Sequence, residues 1–241
     1  VAAAVTLEGA GRVAGLLSCS PDSGQVDPDA LAETIRRAAD AALAADNALV
    51  NILIESGDDR RGRLLQQAGF RHLATLEFME RSLPALPEEV PPREGVRLRA
   101  CELYSDDALA ELVAATYVDT LDCPGLSELR DVRDALAGHR DTGIYTPEHW
   151  RVAEQDGRLA GFAAVNETID GEAEVVYLGV VPAFRGAGLG TWLTRKLCQQ
   201  ATEAGLSGIR LAVDSRNEPA RRAYRQAGFR FSKSREAYIK H

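Results

Sequence analysis

The run Val180-Val181-Pro182-Ala183-Phe184-Arg185-Gly186-Ala187-Gly188-Leu189-Gly190 joins an apolar stretch to an amphipathic one through a turn almost free of bulky side chains. Glycines at 186, 188 and 190 remove the Cβ atoms that would bar positive φ and hold an anion off the backbone, so successive N–H groups can converge on one ligand. A helix opening there adds the positive end of its dipole. Arg185 adds a planar cation at the lip, matched to phosphate oxygens. Strand, phosphate cradle and helix are therefore expected in that order.

Neither common nucleotide fingerprint fits this turn. Its glycines are spaced G-x-G-x-G, and no Gly-Lys-Ser/Thr closes a P-loop. Upstream, Trp150–Glu154 leads to Asp156-Gly157, Leu159–Glu167 returns, and Asp170-Gly171 turns into Glu172–Pro182, the pattern of antiparallel hairpins. That pattern argues against a dinucleotide fold. Alternation along Glu172–Pro182 predicts Glu172, Glu174, Val176, Leu178 and Val180 on one face.

The second part of the chain, from about Val96 to His241, resembles the GNAT superfamily of acetyl-CoA-dependent N-acetyltransferases. Arg185-Gly186-Ala187-Gly188-Leu189-Gly190 matches that family's R/Q-x-x-G-x-G/A signature, and Asn217-Glu218-Pro219-Ala220-Arg221-Arg222-Ala223-Tyr224-Arg225-Gln226-Ala227-Gly228-Phe229 matches its N-x-x-A-x-x-x-Y-x-x-x-G-F segment. The resemblance implies an α/β fold with a mixed, largely antiparallel sheet flanked by helices. It implies acetyl-CoA as co-substrate, no metal, and direct attack of an amine in a ternary complex.

The same resemblance implies the site residues. Gly186, Ala187, Gly188, Leu189 and Gly190, with Arg185, would hold the pyrophosphate; Leu178, Gly179 and Val180 would offer main chain to the pantetheine arm and the thioester oxygen. Asn217 would hydrogen-bond the arm, and Tyr224 would donate a proton to the departing thiolate. Glu174 lies 11 residues before Arg185, where several members carry the glutamate that takes the ammonium proton; Glu172 and Glu167 are its reserves. Tyr117, Asp119, Thr120, Asp122, Cys123 and Pro124, with Glu167, fall on the acceptor side. Plainer readings stand beside these: Tyr224 as a buried helix residue, Glu174 as a solvated strand-end charge, Asn217 as the cap of a helix with Pro219 near its start. The acceptor expected is a primary amine of a small molecule. The alternatives are a protein N-terminus or lysine, or a non-catalytic acetyl-CoA-binding sensor.

Local signals place the remaining elements. Val96–Ala100 reads as a strand, Ser105 as the cap of a helix from Asp106 to about Val118, and Ser127 as the opening of a helix from about Glu128 to Ala137.

An internal repeat underlies the chain. Gln67-Ala68-Gly69-Phe70-Arg71 recurs 159 residues later as Gln226-Ala227-Gly228-Phe229-Arg230. At that shift Ile209, Leu211 and Val213 fall on Val50, Ile52 and Ile54, and the helix after the glycine turn falls on Asp29 to Ala45. Arg185, Gly186, Gly188 and Gly190 fall on Val26, Asp27, Asp29 and Leu31, Asn217 on Asp58, and Tyr224 on Leu65. Carboxylates stand where a pyrophosphate would sit, and Leu65 has no proton to give. Residues 1–83 are thus expected to form a degenerate, non-catalytic GNAT-like unit, residues 84–95 a proline-rich stiff linker, and residues 96–241 the catalytic domain. A tandem with a decayed first unit is similar to that of mycothiol synthases, although the first unit is short by their standard.

Composition limits the remaining classes. The 241 residues, 45% hydrophobic and 27% charged, suffice for real cores. The net charge of −8 argues against nucleic acid as a partner and agrees with a cationic amine. Cys19, Cys101, Cys123 and Cys198 lack disulfide or ligand spacing, and His72, His139, His149 and His241 lack metal spacing. No stretch approaches a membrane span, and Val1–Val5 is too short and uncharged for a signal peptide, so a cytoplasmic enzyme, monomer or homodimer, is expected.

Overall fold

The computed structural model describes residues 2–20 and 26–241. In chain order the elements are β1 (Ala4–Gly9), β2 (Val13–Ser18), α1 (Pro28–Ala44), β3 (Leu49–Glu55), α2 (Asp59–Gln67), β4 (Arg71–Ser82), β5 (Val96–Ala100), α3 (Asp106–Tyr117) and α4 (Val132–Asp141). There follow β6 (Arg151–Gln155), β7 (Arg158–Glu167), β8 (Ala173–Val180), α5 (Leu189–Glu203), β9 (Gly208–Asp214), α6 (Glu218–Gln226) and β10 (Arg230–Lys240). Two compact units share the chain but are not continuous along it. One comprises residues 1–76, 125–138 and 234–241, the other residues 77–124 and 139–233, so β4, β10 and α4 each begin in one unit and end in the other.

The strand order is β1-β2-β3-β10 in the first unit and β4-β9-β8-β7-β6-β5 in the second. The pairs β2–β3 and β8–β9 are parallel, while β1–β2, β3–β10, β5–β6, β6–β7 and β7–β8 are antiparallel. The α/β class and mixed, mostly antiparallel sheet expected from the sequence are therefore present. Each unit has its own core. Leu31, Ile35, Val50, Ile52, Ile54 and Leu65 fill the first, and Leu197, Ile209, Leu211, Val213, Tyr224 and Phe229 the second.

The repeat is realised element by element. At the shift of 159 residues, β3 and β9 begin and end at equivalent positions, as do α2 and α6. Their caps share one backbone geometry. Asp58 (φ −81°, ψ 68°) accepts the Arg61 N–H, and Asn217 (φ −82°, ψ 66°) accepts the Ala220 N–H. The equivalent glycines Gly69 and Gly228 leave both helices at φ near +88°, where a Cβ is disfavoured. Even the parallel register agrees, Ala14↔Val50 in the first unit being equivalent to Ala173↔Ile209 in the second.

Two local readings are corrected. Along β8 the alternation breaks, because the ladder with β7 shifts between Ala164 and Val165, pairing Ala164 with Tyr177 and Val165 with Val175. Val176 is the extra residue of a bulge. Val175 and Leu178 both reach the core beneath α5 and α6, so Glu174 lies on the face opposite Leu178 and Val180. The helix expected from Ser127 begins instead at Val132, where the Asp131 carboxylate accepts the Arg133 N–H at 2.7 Å. By contrast Ser105 caps α3 as expected, through the Ala108 N–H. Within the segment 84–95, Val90 and Pro91 lie along α5: Lys196 Nζ donates to the Val90 carbonyl at 2.7 Å, and Trp192 Nε1 to that of Pro91 at 2.9 Å.

One buried amide organises the start of the second unit's hairpins. Asn166, fully buried, accepts from Trp150 Nε1 at 2.8 Å and donates to the carbonyls of His139 and Thr142 at 2.8 and 2.6 Å. Replacing it by leucine strands these partners in a dry core. Asn166→Leu should lower unfolding free energy by about 2–4 kcal/mol, read by urea titration of tryptophan fluorescence; an unchanged midpoint would show that the network is dispensable.

Candidate active site

Parallel pairing of β8 with β9 is confined to Ala173↔Ile209 and Glu174↔Arg210. Beyond the bulge the strands part, so among the described residues no strand lies beside the β9-facing edge of β8 from Val176 to Val180. A backbone edge left this way is a ready partner for an extended ligand carrying amides.

At its end β8 passes through Val181-Pro182 into the glycine turn. Gly186 and Gly188 take φ +79° and +82°, and Gly188 is the left-handed N-cap of α5. A Cβ on Gly186 would meet nothing within 4 Å, so the space above the turn is open. The first well-formed helical bond runs from the Trp192 N–H to the Gly188 carbonyl at 3.1 Å, leaving the N–H groups of Gly186 to Gly190 without a well-formed acceptor among the described residues. Five such donors at a helix start suit a diphosphate, and the turn fits the cofactor the motif implies. At the equivalent place in the first unit, the Asp27 carboxylate accepts the Asp29 N–H and Pro28 supplies no donor. A protein anion already occupies that helix start.

Arg185 is placed differently from the lip cation expected of it. Its Nε donates to the Val180 carbonyl at 2.9 Å, Nη2 to that of Thr116 at 2.8 Å and Nη1 to that of Asp119 at 3.2 Å. The guanidinium thus ties the end of β8 to the C-terminus of α3, where carbonyls lack helical partners. Gly179 lies against the same helix. A Cβ there would lie 2.6 Å from Thr116 Oγ1 and 2.7 Å from the Tyr177 hydroxyl, so the room it leaves is filled by this chain's own hydrogen-bonded Thr116–Tyr177 pair.

Past α3 the chain folds to the end of β9. Asp119 and Cys123 adopt left-handed backbone at φ 51° and 46°, and the Cys123 N–H reaches Asp214 Oδ2 at 3.0 Å. In return Asp122 Oδ1 accepts the Asp214 N–H at 2.9 Å, and the Asn217 side chain bonds the same carboxylate. Asp122 is exposed as a residue, but its carboxylate turns inward; desolvation, aided by the Asp214 charge, pushes its pKa up. Asp214 is fully buried, which alone would raise its pKa, yet Arg216 and the N–H groups of Arg216 and Cys123 hold it below the usual carboxylate range. Burial, with Asp122 and Asp214, pushes the Cys123 thiol up to about 12, so it carries no thiolate near neutrality.

Tyr224 packs against Phe229 within the same unit and is only 7% exposed. Burial and the charge of Asp122 push its pKa up, so the phenol keeps its proton. Asp122, Asn217 and Tyr224 are thus brought to one end of β9. Glu174 stands elsewhere, with Arg210, whose guanidinium is 3.4 Å from Glu174, 3.7 Å from Glu172 and 3.5 Å from Asp170. Glu167 pairs with Ile144 at the end of the β7–β8 ladder away from Val180. Tyr117, the last residue of α3, sets its ring edge-on to Tyr177 at 6.2 Å. Thr116, Tyr177, Asp214 and Arg216 were missed by the sequence reading. The signal for Asp214 is a lone carboxylate ending an apolar strand.

Asp214 gives a pH test. Its folded-state pKa is lowered, so its stabilisation is complete above the ordinary aspartate value of about 3.9 and is lost as pH falls through the lowered one. Asp214→Asn should cost about 1–3 kcal/mol at pH 7, the gap to wild type narrowing below about pH 4 in urea titrations. A gap independent of pH would contradict the ionised latch.

Comparison with known proteins agrees with this geometry. The family model described as "Acetyltransferase (GNAT) family" matches residues 109–229. A mycothiol acetyltransferase of Actinosynnema mirum is 33% identical over 180 residues, a stretch covering 71% of this chain and 57% of that protein. The chain thus spans little more than half the length of such relatives. Among solved structures, a GCN5-related N-acetyltransferase from Sphaerobacter thermophilus superposes with a TM-score of 0.71 at 20% identity, covering 99% of this chain and 76% of that one. A tandem GNAT protein from the clavulanic acid biosynthesis pathway does so at 0.56 and 19%, covering 95% and 75%. With the glycine turn, the Asn217–Phe229 segment and the parted strands inside the matched region, the chain belongs to the GNAT family of acetyltransferases.

Proposed function

We propose that the second unit transfers an acetyl group from acetyl-CoA to the primary amine of a small molecule, by direct attack within a ternary complex. The observation that carries this reading is the β8 edge left open from Val176 to Val180, running straight into a turn of unpartnered N–H donors. The edge would bind the pantetheine amides as an added strand, with the turn binding the diphosphate. Main-chain N–H groups around Leu178, Gly179 and Val180 would stabilise the carbonyl oxygen as it gains charge. Glu174, which stands beside Arg210 on the face of β8 opposite Leu178 and Val180, would take the proton lost by the attacking ammonium only through water. As the C–S bond breaks, Tyr224 would give its phenolic proton to the sulfur. Cys123 has no part in this route, since burial and the Asp122 and Asp214 carboxylates keep its thiol protonated.

The first unit is read as non-catalytic, because Asp27 closes its helix start and buried Leu65 stands at the position equivalent to Tyr224. The relatives' name makes an acceptor of mycothiol type, offered as its unacetylated amine, the first to try. A second reading, an acetyl-CoA-binding sensor, draws on the bonds that tie residues 119–123 to Arg185 and Asp214.

Thiol release from acetyl-CoA, followed across that amine, aminoglycosides, amino sugars and dipeptides, separates the readings. Release with one amine class supports transfer. Binding without release from any acceptor favours the sensor. In the transferase, Tyr224→Phe should lower kcat by roughly 10- to 10⁴-fold with CoA affinity nearly intact, and an unchanged kcat would reject the proton-donor role.

A further inference from the structure

Arg185, the cation the motif supplies, spends its guanidinium on the carbonyls of Val180, Thr116 and Asp119. A second arginine reaches the same turn from a part of the chain that lies outside both the motif and the matched family region. Residues 90–93 run antiparallel to α5 along its surface. The Val90 N–H donates to Gln199 Oε1 at 3.2 Å, the Val90 carbonyl accepts from Lys196, the Pro91 carbonyl accepts from Trp192, and Arg93 Nη2 donates to the Ala187 carbonyl at 2.6 Å. Each contact lies nearer the start of the helix than the one before. Val90 is buried, and two prolines limit the backbone between it and Arg93. The segment therefore delivers one side chain to one place.

Arg93 Nη1 lies 3.7 Å from where a Cβ of Gly188 would stand. Among the described residues the Ala187 carbonyl is the acceptor found for this guanidinium and no carboxylate is paired with it, whereas Arg81, Arg99, Arg140, Arg210, Arg216 and Arg221 all have carboxylate partners. A guanidinium has five N–H donors in a planar fork, and one bond leaves most of them for another acceptor. The neighbouring groups are the unpartnered N–H donors of Gly186 to Gly190, which would converge on the same anion. Resting on the acetyl-CoA reading above, we infer that Arg93 is a cofactor-binding residue whose guanidinium completes the diphosphate site at the Gly186–Gly190 turn.

Isothermal titration of the full chain with CoA, dephospho-CoA and acetyl-pantetheine tests this. Arg93→Ala should weaken CoA and dephospho-CoA alike by roughly tenfold and flatten the salt dependence of both, leaving the phosphate-free acetyl-pantetheine unaffected. Arg93→Lys, which keeps the charge but loses the fork, should fall between. Unchanged CoA affinity in Arg93→Ala, a penalty confined to CoA, or an equal penalty with acetyl-pantetheine would each overturn the assignment. The second of these would point to the 3′-phosphate, the third to a purely structural role. Failure of the wild-type protein to bind CoA would instead overturn the reading of the cradle, and this inference with it.

Discussion

Separation of β8 from β9 after Glu174↔Arg210 is the constraint on which the second unit's chemistry depends. A parallel sheet continuing past that pair would satisfy the backbone of both strands and leave no edge for a ligand. The bulge at Val176 re-aims β8 at the place where the ladder ends. It puts Tyr177 and Gly179 beneath α3, keeps Leu178 and Val180 on the core, and sends the strand's end into the glycine turn. Opening the sheet exposes backbone groups, and the chain answers with fixed local bonds rather than with another strand.

Those bonds come from charged groups used as braces. Arg185 gathers carbonyls of β8 and α3, and Asp214 gathers the Cys123 N–H and Arg216 while giving its own N–H to Asp122. Held between them, residues 119–123 accept left-handed backbone at Asp119 and Cys123, a strain that persists only where surrounding contacts over-determine it. Two carboxylates in one small space also separate in character. Asp214 keeps its charge through Arg216, while Asp122 is pushed toward the neutral form beside the tyrosine proposed as proton donor.

Much of this was legible in the sequence because it depends on local chemistry. Positive φ requires glycine at 186 and 188, an asparagine before Glu218-Pro219 caps a helix, and a repeated Gln-Ala-Gly-Phe-Arg ends equivalent helices in both units. The carboxylate cap of α1 at Asp27 could likewise be read from the acidic residues at that helix start. What escaped depends on partners distant in the chain. A bulge has no signature in alternation, so Glu174 was placed on the wrong face of β8. Asp131 competed with Ser127 for the start of α4 and prevailed. Arg185 departs from its expected role for one reason. A motif fixes where a side chain begins, whereas the carbonyls and carboxylates within its reach fix what it binds. Nor does the linear order show that β4 and β10 serve both units.

The central claim is that the open β8 edge and the glycine turn of the second unit form a single acetyl-CoA site, with no counterpart at the start of α1. Amide hydrogen exchange with and without acetyl-CoA tests it most directly. The account predicts slowed exchange at residues 176–180 and 186–190 and no change at residues 26–31. Unaltered exchange at the turn, or protection at the start of α1, would contradict it.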